Sequence, residues 1–574
     1  MLKPKKSLEN IDIYEVPLFE QEWDLKLDLN ENLFGPSPKV LDAIRNVEES
    51  DIKFYPAYGI LSQKIAEFTG FEIENIKITN GADEAISSIF QTYLEEGDRV
   101  LSVVPTFSMP FIYAKLTGAV VEEVPYKKKW SFPIDDFLNK LNDKKVRLVY
   151  LTTPNSPTGD IIPSEMILKI LEKSKDKIIL IDETYGNYCN STYKELVKKY
   201  DNVLIVKSFS KDFALAGLRL GYIISNKYNI QNIKSVVSPY SVNTLAVKAG
   251  IAALDDCQYF NNIKQQVEKS KVIMTEGLQK IGAKVYPSFA NFLAVDFDDK
   301  HEFVLRKLIS NKIIIKRFKN GFGGFMFRVG IPRPEDAKKV FDALKLKDTI
   351  AFDMDGVLID ASKSYRLAVK ETFQYFSSKE ISYEKIQDAK NLGGLNNDWD
   401  LTDFLLKKEG ISIDKDILIE RFQQIYWNEG RGLIQNEELL IDKKLLGELS
   451  KKYNLAIFTG RPKQEAEFAL KLNGIFDYFY PVITMEDIPA DAQKPSPYGL
   501  KYLKKLILTD KILYFGDTKD DIISAKSADV IPVGVLPPQD KTDILKENLK
   551  QHGAIIVLDS INQINNLLEI KNEI

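Results

Sequence analysis

Residues 208–222 read SFSKDFALAGLRLGY, close behind the apolar run VLIV at 203–206. Lys211 thus follows a strand-like run and lies among small hydroxyl residues, with Arg219 downstream. A lysine in that setting can form a Schiff base with an aldehyde cofactor, although a surface lysine is the commoner reading of such a residue taken alone. The upstream IDETY changes the balance. Asp182 ends the apolar strand KIILI, where a carboxylate can hold a pyridine nitrogen protonated, and Tyr185 comes soon after. TNGADEAI adds a third element: Gly81, Ala82 and Asp83 stand at a strand-to-helix turn whose free backbone N–H groups suit a phosphate. Around these stretches, short β-branched runs (RVLSVV, VRLVYLTT, KIILIDE, VLIVKSFS) alternate with longer helical patterns. Such alternation implies an α/β fold, with helices covering a parallel sheet and functional loops at the carboxyl ends of the strands.

Read in order, LDLNENLFGPSP, YPAYG, TNGADEAI, PTFSMP, TPNSPTGD, IDETY, SFSKDFALAGLRLGY, PSFANFLAVDF and FRVG resemble the class I/II aminotransferases of the pyridoxal phosphate fold-type I family, most closely the histidinol-phosphate aminotransferases. The resemblance runs from about residue 11 to residue 344 and implies a large α/β domain with a small companion domain. It implies that Lys211 bonds pyridoxal 5′-phosphate and, once released, moves a proton between the substrate α-carbon and the cofactor. Asp182 would pair with the pyridinium, Tyr185 would bond the ring oxygen and Phe107 would stack on the ring. Ser208, Ser210 and Arg219 would join Gly81, Ala82 and Asp83 around the cofactor phosphate. Tyr55 would reach that phosphate from a partner subunit, which implies a homodimer. On the substrate side the family pattern assigns Arg328 to the substrate's carboxylate or phosphate, an anion that a planar guanidinium fork suits. Asn32 joins it there, and Tyr14 is the candidate aromatic closing over substrate phosphate. Three positions depart from the pattern. Ser156, preceded by Asn155, stands where asparagine is usual, which weakens the expected contact to the ring oxygen. Lys316, followed by Arg317, replaces a second anion-binding arginine and keeps the charge without the bidentate geometry. Phe107 stands where tyrosine is common.

A second βα series begins after PRPEDAKKVFDALKLK with TIAFDMDG, and continues with NLAIFTG and KILYFGD. In TIAFDMDGVLID, Asp353 and Asp355 occupy alternate positions at a strand end and so share one side of an extended chain. That pair alone fits a turn or a metal site. Thr459 and Gly460 after NLAIF, Lys494 in QKPSP, and Asp517 and Asp521 in GDTKDD are further strand-end signals. Together the four motifs resemble the haloacid dehalogenase superfamily, over roughly residues 348–560. The resemblance implies a Rossmann-like core with an α-helical cap between the first two motifs. Tyr365, Val369, Phe373 and Phe376 share a helix face within that cap, and the loop NLGGLNNDWD is placed to face substrate. Because Asp355 is present, phosphate-ester hydrolysis is expected and dehalogenation is not. Asp353 would be the nucleophile and Asp355 the general acid and base. Mg2+ would be held by Asp353, Asp517 and the backbone carbonyl of Asp355, with Asp521 in support and Thr459, Gly460 and Lys494 around the phosphoryl group.

The bulk numbers agree with two enzymes. A chain of 574 residues exceeds what one core usually organises. With 2 histidines and 2 cysteines in all, catalytic triads built on histidine and His/Cys zinc sites are excluded. Lys+Arg 78 against Asp+Glu 82 gives no basic field for nucleic acid. No apolar run long enough to cross a membrane occurs, and a cytoplasmic location is expected.

The expected organisation is an aminotransferase over 1–345 and a phosphatase over 346–574, with core 346–360 and 441–574 and cap about 361–440. The leading expectation is a bifunctional enzyme of histidine biosynthesis. Glutamate and imidazole acetol phosphate would give histidinol phosphate, which the second half would hydrolyse. An aminotransferase of another, aromatic, amino acid joined to a phosphatase of other specificity is the alternative. A noncatalytic C-terminal module is the third reading.

Overall fold

The computed structural model describes Leu8 and residues 22–189, 191–391, 397–509 and 511–565. The chain divides into two compact units: the first comprises residues up to His301 with Leu305–Leu344, the second Lys345 onward with Glu302–Val304.

The first unit is built on a seven-stranded sheet in the order Ile76–Thr79, Gly221–Ile224, Val203–Ser208, Ile178–Asp182, Val146–Thr152, Arg99–Val104, Val120–Pro125. All neighbours are parallel except the two pairs made by Gly221–Ile224. The central strands VLIVKS and IILID are buried along almost their whole length, as expected of a parallel sheet covered on both faces. Register matters here. Thr152 pairs with Asp182, and Asp182 with Val206, so the carboxyl ends of three strands meet at one edge. The loops carrying Asn155, Tyr185 and Lys211 leave from that edge. A second sheet, of five strands, sets Leu25–Leu27 beside Ile313–Lys319, followed by Phe325–Gly330, Phe292–Asp296 and Lys284–Val285. It places Lys316 directly across from Arg328.

In the second unit a six-stranded, all-parallel sheet runs Val482–Ile483, Asn454–Phe458, Thr349–Phe352, Ile512–Gly516, Ile531–Val535, Ile556–Leu558. Thr349–Phe352 lies in the middle, with Phe352 in register with Ile457 on one side and Phe515 on the other. Asp353 therefore emerges between Thr459 and Asp517 at the carboxyl edge. Four helices, Tyr365–Ser377, Tyr383–Asn391, Asp398–Lys408 and Lys415–Tyr426, enclose an apolar cluster of their own that includes Val369, Phe373, Leu401, Leu405, Leu418 and Phe422. Phe376 packs against that cluster too, so the helical face read from Tyr365, Val369, Phe373 and Phe376 is one face in the structure. A two-stranded antiparallel ribbon, Ile359–Asp360 with Glu438–Leu439, joins this helical bundle to the sheet.

Candidate active sites

In the first unit, Asp182 is buried at the end of its strand. Tyr150 donates its hydroxyl to Asp182 Oδ2 at 2.9 Å and the Thr184 backbone N–H donates to Oδ1 at 2.9 Å. Burial pushes its carboxyl up from the usual value, opposed by the bonds from Thr184 and Tyr150. A protonated ring nitrogen beside it would favour the carboxylate form. Tyr185 is buried with its ring edge on Phe292, and its hydroxyl accepts a bond from Asn30 Nδ2 at 3.0 Å. Lys211 Nζ donates to the Leu29 carbonyl at 2.7 Å, so the amine meets the segment Asp28–Asn32. Asn32 is held in that segment by a 2.9 Å bond from its Nδ2 to the Asp212 carbonyl.

The turn before the helix Gly81–Tyr93 fits a phosphate on its own geometry. Gly81 has φ +75°, and a Cβ there would stand 2.9 Å from Arg219 Nη2. A Cβ on Gly221 would stand 2.6 Å from the Gly81 carbonyl carbon. Asn80 supplies no side-chain cap to the helix, which leaves its first amides, those of Ala82 and Asp83 among them, open to an anion. Arg219, itself in the left-handed region at φ 57°, holds Asp83 Oδ2 at 2.7 Å. Ser208 Oγ accepts from the Ser210 backbone N–H at 3.1 Å on the same side. A phosphate cradle at one end, a buried carboxylate at the other and a lysine in the loop between them match the donor set that pyridoxal 5′-phosphate requires.

Arg328 Nη1 donates to Ser156 Oγ at 2.9 Å and Nη2 to the Asp28 carbonyl at 2.5 Å, while its Nε is buried without a hydrogen-bond partner among the described residues. Ser156 thus faces the arginine, and Asn155 is taken up by its own loop, bonded to Thr106, Thr158 and the Pro105 carbonyl at 2.7, 2.7 and 3.0 Å. Phe107 is half-buried in the turn after Pro105. Lys316 is exposed on its strand. Within its own chain Tyr55 is 79% exposed and stacks on Tyr240 at 4.5 Å. Tyr14 lies outside the described residues. Tyr150 and Asn30, which bond Asp182 and Tyr185, were not singled out by sequence. Tyr150 is one more apolar-looking residue of a buried strand, and Asn30 sits within LDLNEN without a distinguishing signal.

In the second unit, Asp353, Asp517 and Asp521 bring carboxylate oxygens within 4.8 Å of one another. Lys494 Nζ bridges two of them, at 2.8 Å from Asp353 and 2.7 Å from Asp521. Burial, with Asp521 and Asp355 nearby, pushes Asp353 up to about 7 against the pull of Lys494. Asp517 rises well above the carboxylate range for the same reasons, burial first and then Asp521 and Asp353. Three hard oxygen donors under mutual repulsion are a donor set suited to Mg2+. The backbone is shaped for the close approach: Gly356 has φ +75°, and a Cβ there would lie 2.4 Å from Asp517 Oδ2. Asp521 is fixed by Thr518 Oγ1 at 2.6 Å and Tyr514 at 3.0 Å. Thr459 is buried, its Oγ1 accepting from the Arg461 N–H at 3.2 Å. Asp353, Asp355, Gly460, Lys494 and Asp517 line one cavity of about 510 Å³, which also touches Asn397, Asp398 and Asp400 of the helical bundle. Of the loop NLGGLNNDWD, residues 392–396 lie outside the described residues.

Asp355 has a partner that sequence reading missed. The buried Arg461 donates Nη2 to Asp355 Oδ1 at 2.5 Å and Nε to both its oxygens at 3.1–3.2 Å, and also grips Glu437 at 2.8 and 3.0 Å. Burial works against the Asp355 carboxylate, yet Arg461 outweighs it and holds the pKa below the usual value. Glu437 further accepts from Ser364 Oγ at 2.8 Å and Tyr426 at 3.1 Å, so one guanidinium links the sheet, the ribbon and the helical bundle. Its only sequence signal is its place directly after Thr459 and Gly460.

Residues 24–343 match the model of the aminotransferase class I and II family, and residues 350–535 match that of the haloacid dehalogenase-like hydrolases. A histidinol-phosphate aminotransferase of Methanococcus aeolicus is 35% identical over 334 residues, covering 56% of this chain and 89% of the relative. One of Thermoanaerobacter sp. is 32% identical over 317 residues, covering 54% and 88%. The crystal structure of the histidinol-phosphate aminotransferase from Clostridium acetobutylicum superposes with a TM-score of 0.52 at 26% identity, over 56% of this chain and 98% of that one. With the fold-type I sheet, the lysine loop and the phosphate turn already in place, the chain belongs to the class I and II aminotransferases, a family that works with pyridoxal 5′-phosphate, and carries a haloacid dehalogenase-like hydrolase unit behind the aminotransferase domain.

Proposed function

We propose that residues 1–345 transfer the amino group of glutamate to imidazole acetol phosphate, and that residues 346–574 hydrolyse the resulting histidinol phosphate with Mg2+. The observation that carries this reading is the presence, behind a transaminase whose relatives are histidinol-phosphate aminotransferases, of a cavity furnished with an aspartate pair, a lysine and a carboxylate cluster. The cofactor would supply an electron sink for the carbanion left when the α-proton is removed. Lys211 would move that proton, Asp182 would keep the ring nitrogen protonated, and Arg328, held by Ser156 and Asp28, would orient the substrate's anionic group. In the hydrolase unit Asp353 would attack phosphorus, forming an aspartyl-phosphate as the ester P–O bond breaks. Asp355, ionised in the resting site beside Arg461, would take up a proton as substrate binds, give it to the departing oxygen and take one back from the water that then cleaves the aspartyl-phosphate. Mg2+ on Asp353 and Asp517 would offset charge on the transferring group, and Lys494 would hold the nucleophile in place. A homodimer, with Tyr55 of one chain serving the other's phosphate cradle, and a cytoplasmic location complete the reading; the 79% exposure of Tyr55 within its own chain is compatible with the first.

The test is a coupled assay on the full chain with glutamate and imidazole acetol phosphate, following 2-oxoglutarate and inorganic phosphate together. Lys211→Ala is expected to abolish both signals, with added histidinol phosphate restoring phosphate release. Asp353→Asn is expected to spare transamination and stop phosphate release; retained release would remove Asp353 as nucleophile. Lys316 in place of a second arginine favours one other reading, an aminotransferase of aromatic amino acids. A clear kinetic preference for phenylpyruvate as amino acceptor would decide for it.

A further inference from the structure

The hydrolase cavity contains a cation that forms no ion pair among the described residues. Arg366, in the first turn of the helix Tyr365–Ser377, lines the same 510 Å³ cavity as Asp353 and Asp517. It is 8% exposed, yet its side chain has no hydrogen bond or ion pair among the described residues. Other cations of the cavity are matched: Lys390 with Asp398 at 3.2 Å, Lys415 with Asp400 at 2.7 Å, Lys494 with Asp353 and Asp521, and Arg461 with Asp355 and Glu437. A guanidinium withdrawn this far from bulk water normally has an anion to meet.

We propose that Arg366 is the phosphoryl-binding residue that the helical bundle contributes to the cavity. This rests on the phosphatase reading above. The charge balance points to the phosphoryl group and not to a second anion on the leaving group. Lys494 and a divalent ion together match the carboxylates of Asp353, Asp517 and Asp521, so a phosphate dianion would enter with Arg366, whose charge reaches Asp517 without forming an ion pair, as the counter-charge left unpaired among the described residues. A further anion would find no second unpaired cation among the described residues of the cavity. Arg366 takes no part in bond making; it binds the oxygens that stay on phosphorus, and it ties occupation of the cavity by phosphate to the position of the helical bundle.

The experiment uses the full chain with pyridoxal phosphate and Mg2+, comparing wild type, Arg366→Ala and Arg366→Lys. Calorimetric titration with inorganic phosphate should show affinity reduced about tenfold to a hundredfold in Arg366→Ala, the effect of losing hydrogen bonds to a charged group. Arg366→Lys should recover part of it, because it keeps the charge and loses the fork. kcat/KM should fall by a similar factor for p-nitrophenyl phosphate and for histidinol phosphate, since only the phosphoryl group is common to them. Equal transamination rates and circular dichroism across the three proteins establish that they fold alike. Unchanged phosphate affinity in Arg366→Ala overturns the proposal, as does a loss confined to histidinol phosphate, which would put the residue on the leaving group. Wild type that binds phosphate but releases none from any ester would refute the phosphatase reading alone, with the binding comparison still deciding Arg366. Wild type that binds no phosphate with Mg2+ present removes both.

Discussion

Arg461→Met should destabilise the hydrolase unit by about 3–5 kcal/mol at neutral pH, the cost of leaving one member of a buried ion pair without its partner. The magnitude falls almost wholly on Glu437. Its side chain is 0% exposed and takes two bonds from Arg461, whereas the Asp355 side chain is 32% exposed and can turn to water in the cavity. Methionine retains most of the arginine's length, so little is lost to a cavity. Hydrogen exchange of the central strands Thr349–Phe352 and Asn454–Phe458 reports opening of this unit without interference from the other. Their slowest amides should exchange about a hundredfold to a few thousandfold faster than in wild type, at about tenfold per 1.4 kcal/mol. The pH dependence has a definite sign. Burial raises the pKa of Glu437 and Arg461 lowers it, so removing Arg461 raises it further. The folded state of the variant then holds that proton more tightly than the unfolded chain does. Its deficit is therefore greatest above the raised pKa and shrinks as the pH falls toward the ordinary glutamate range. Adding Glu437→Gln supplies the same relief at neutral pH, because a glutamine oxygen still accepts from Ser364 and Tyr426 without a charge. Exchange in Arg461→Met at the wild-type rate, or a deficit that Glu437→Gln leaves in place, would refute the argument that Glu437 needs this counter-ion.

Two further substitutions test the sites one at a time. Asp182→Asn keeps an acceptor for Tyr150 but removes the charge facing the ring nitrogen, so transamination should drop by two orders of magnitude or more, an effect of about 3 kcal/mol or greater, while p-nitrophenyl phosphate hydrolysis is unchanged; steady-state rates of both reactions on one preparation check it. Gly356→Ala puts a methyl where only 2.4 Å separates it from Asp517 Oδ2 and forces a side chain into φ +75°, so the Mg2+ concentration for half-maximal phosphate release should rise at least tenfold with transamination intact.

Most of the architecture was legible because it rests on local signals. Short β-branched runs such as VLIV and IILI, alternating with helical patterns, read as buried strands, and residues at strand ends, Asp182, Asp353, Thr459 and Asp517 among them, inherit their positions from the strand register. What sequence could not supply is which side chain answers which. Tyr150 and Asn30 bond Asp182 and Tyr185 across separations of 32 and 155 residues. Ser156, read as a weakened cofactor contact, is the acceptor that orients Arg328 across 172 residues. Arg461 and Glu437 form a pair whose members are each unremarkable in their own segment. Those partnerships are set by tertiary packing, where no periodicity or spacing rule reaches.

On the proposed reading the two units would meet phosphate by opposite electrostatic means, and this bears on how one chain could retain one phosphate and hydrolyse another. Around Gly81 the groups presented are backbone amides and Arg219, and the two carboxylates of the helix's first turn are already engaged, Asp83 with that arginine at 2.7 Å and Glu84 with the Asn80 backbone N–H at 2.5 Å. Among the described residues of that turn, neither carboxylate is left without a partner. The hydrolase edge is the inverse, a cluster of carboxylates with Asp353 pushed up to about 7 by burial and by its neighbours. A phosphate dianion cannot approach such a cluster unless cations reverse its sign. Lys494 is paired with Asp353 and Asp521, and Arg461 with Asp355 and Glu437, so the charge of each is already balanced by carboxylates. The reversal must come from groups that arrive or remain uncommitted, which on the proposed reading are the divalent ion and Arg366. Attack would then depend on the helical bundle and the metal being in place together, while a phosphate lodged against Gly81 and Arg219 would meet carboxylates that are already paired.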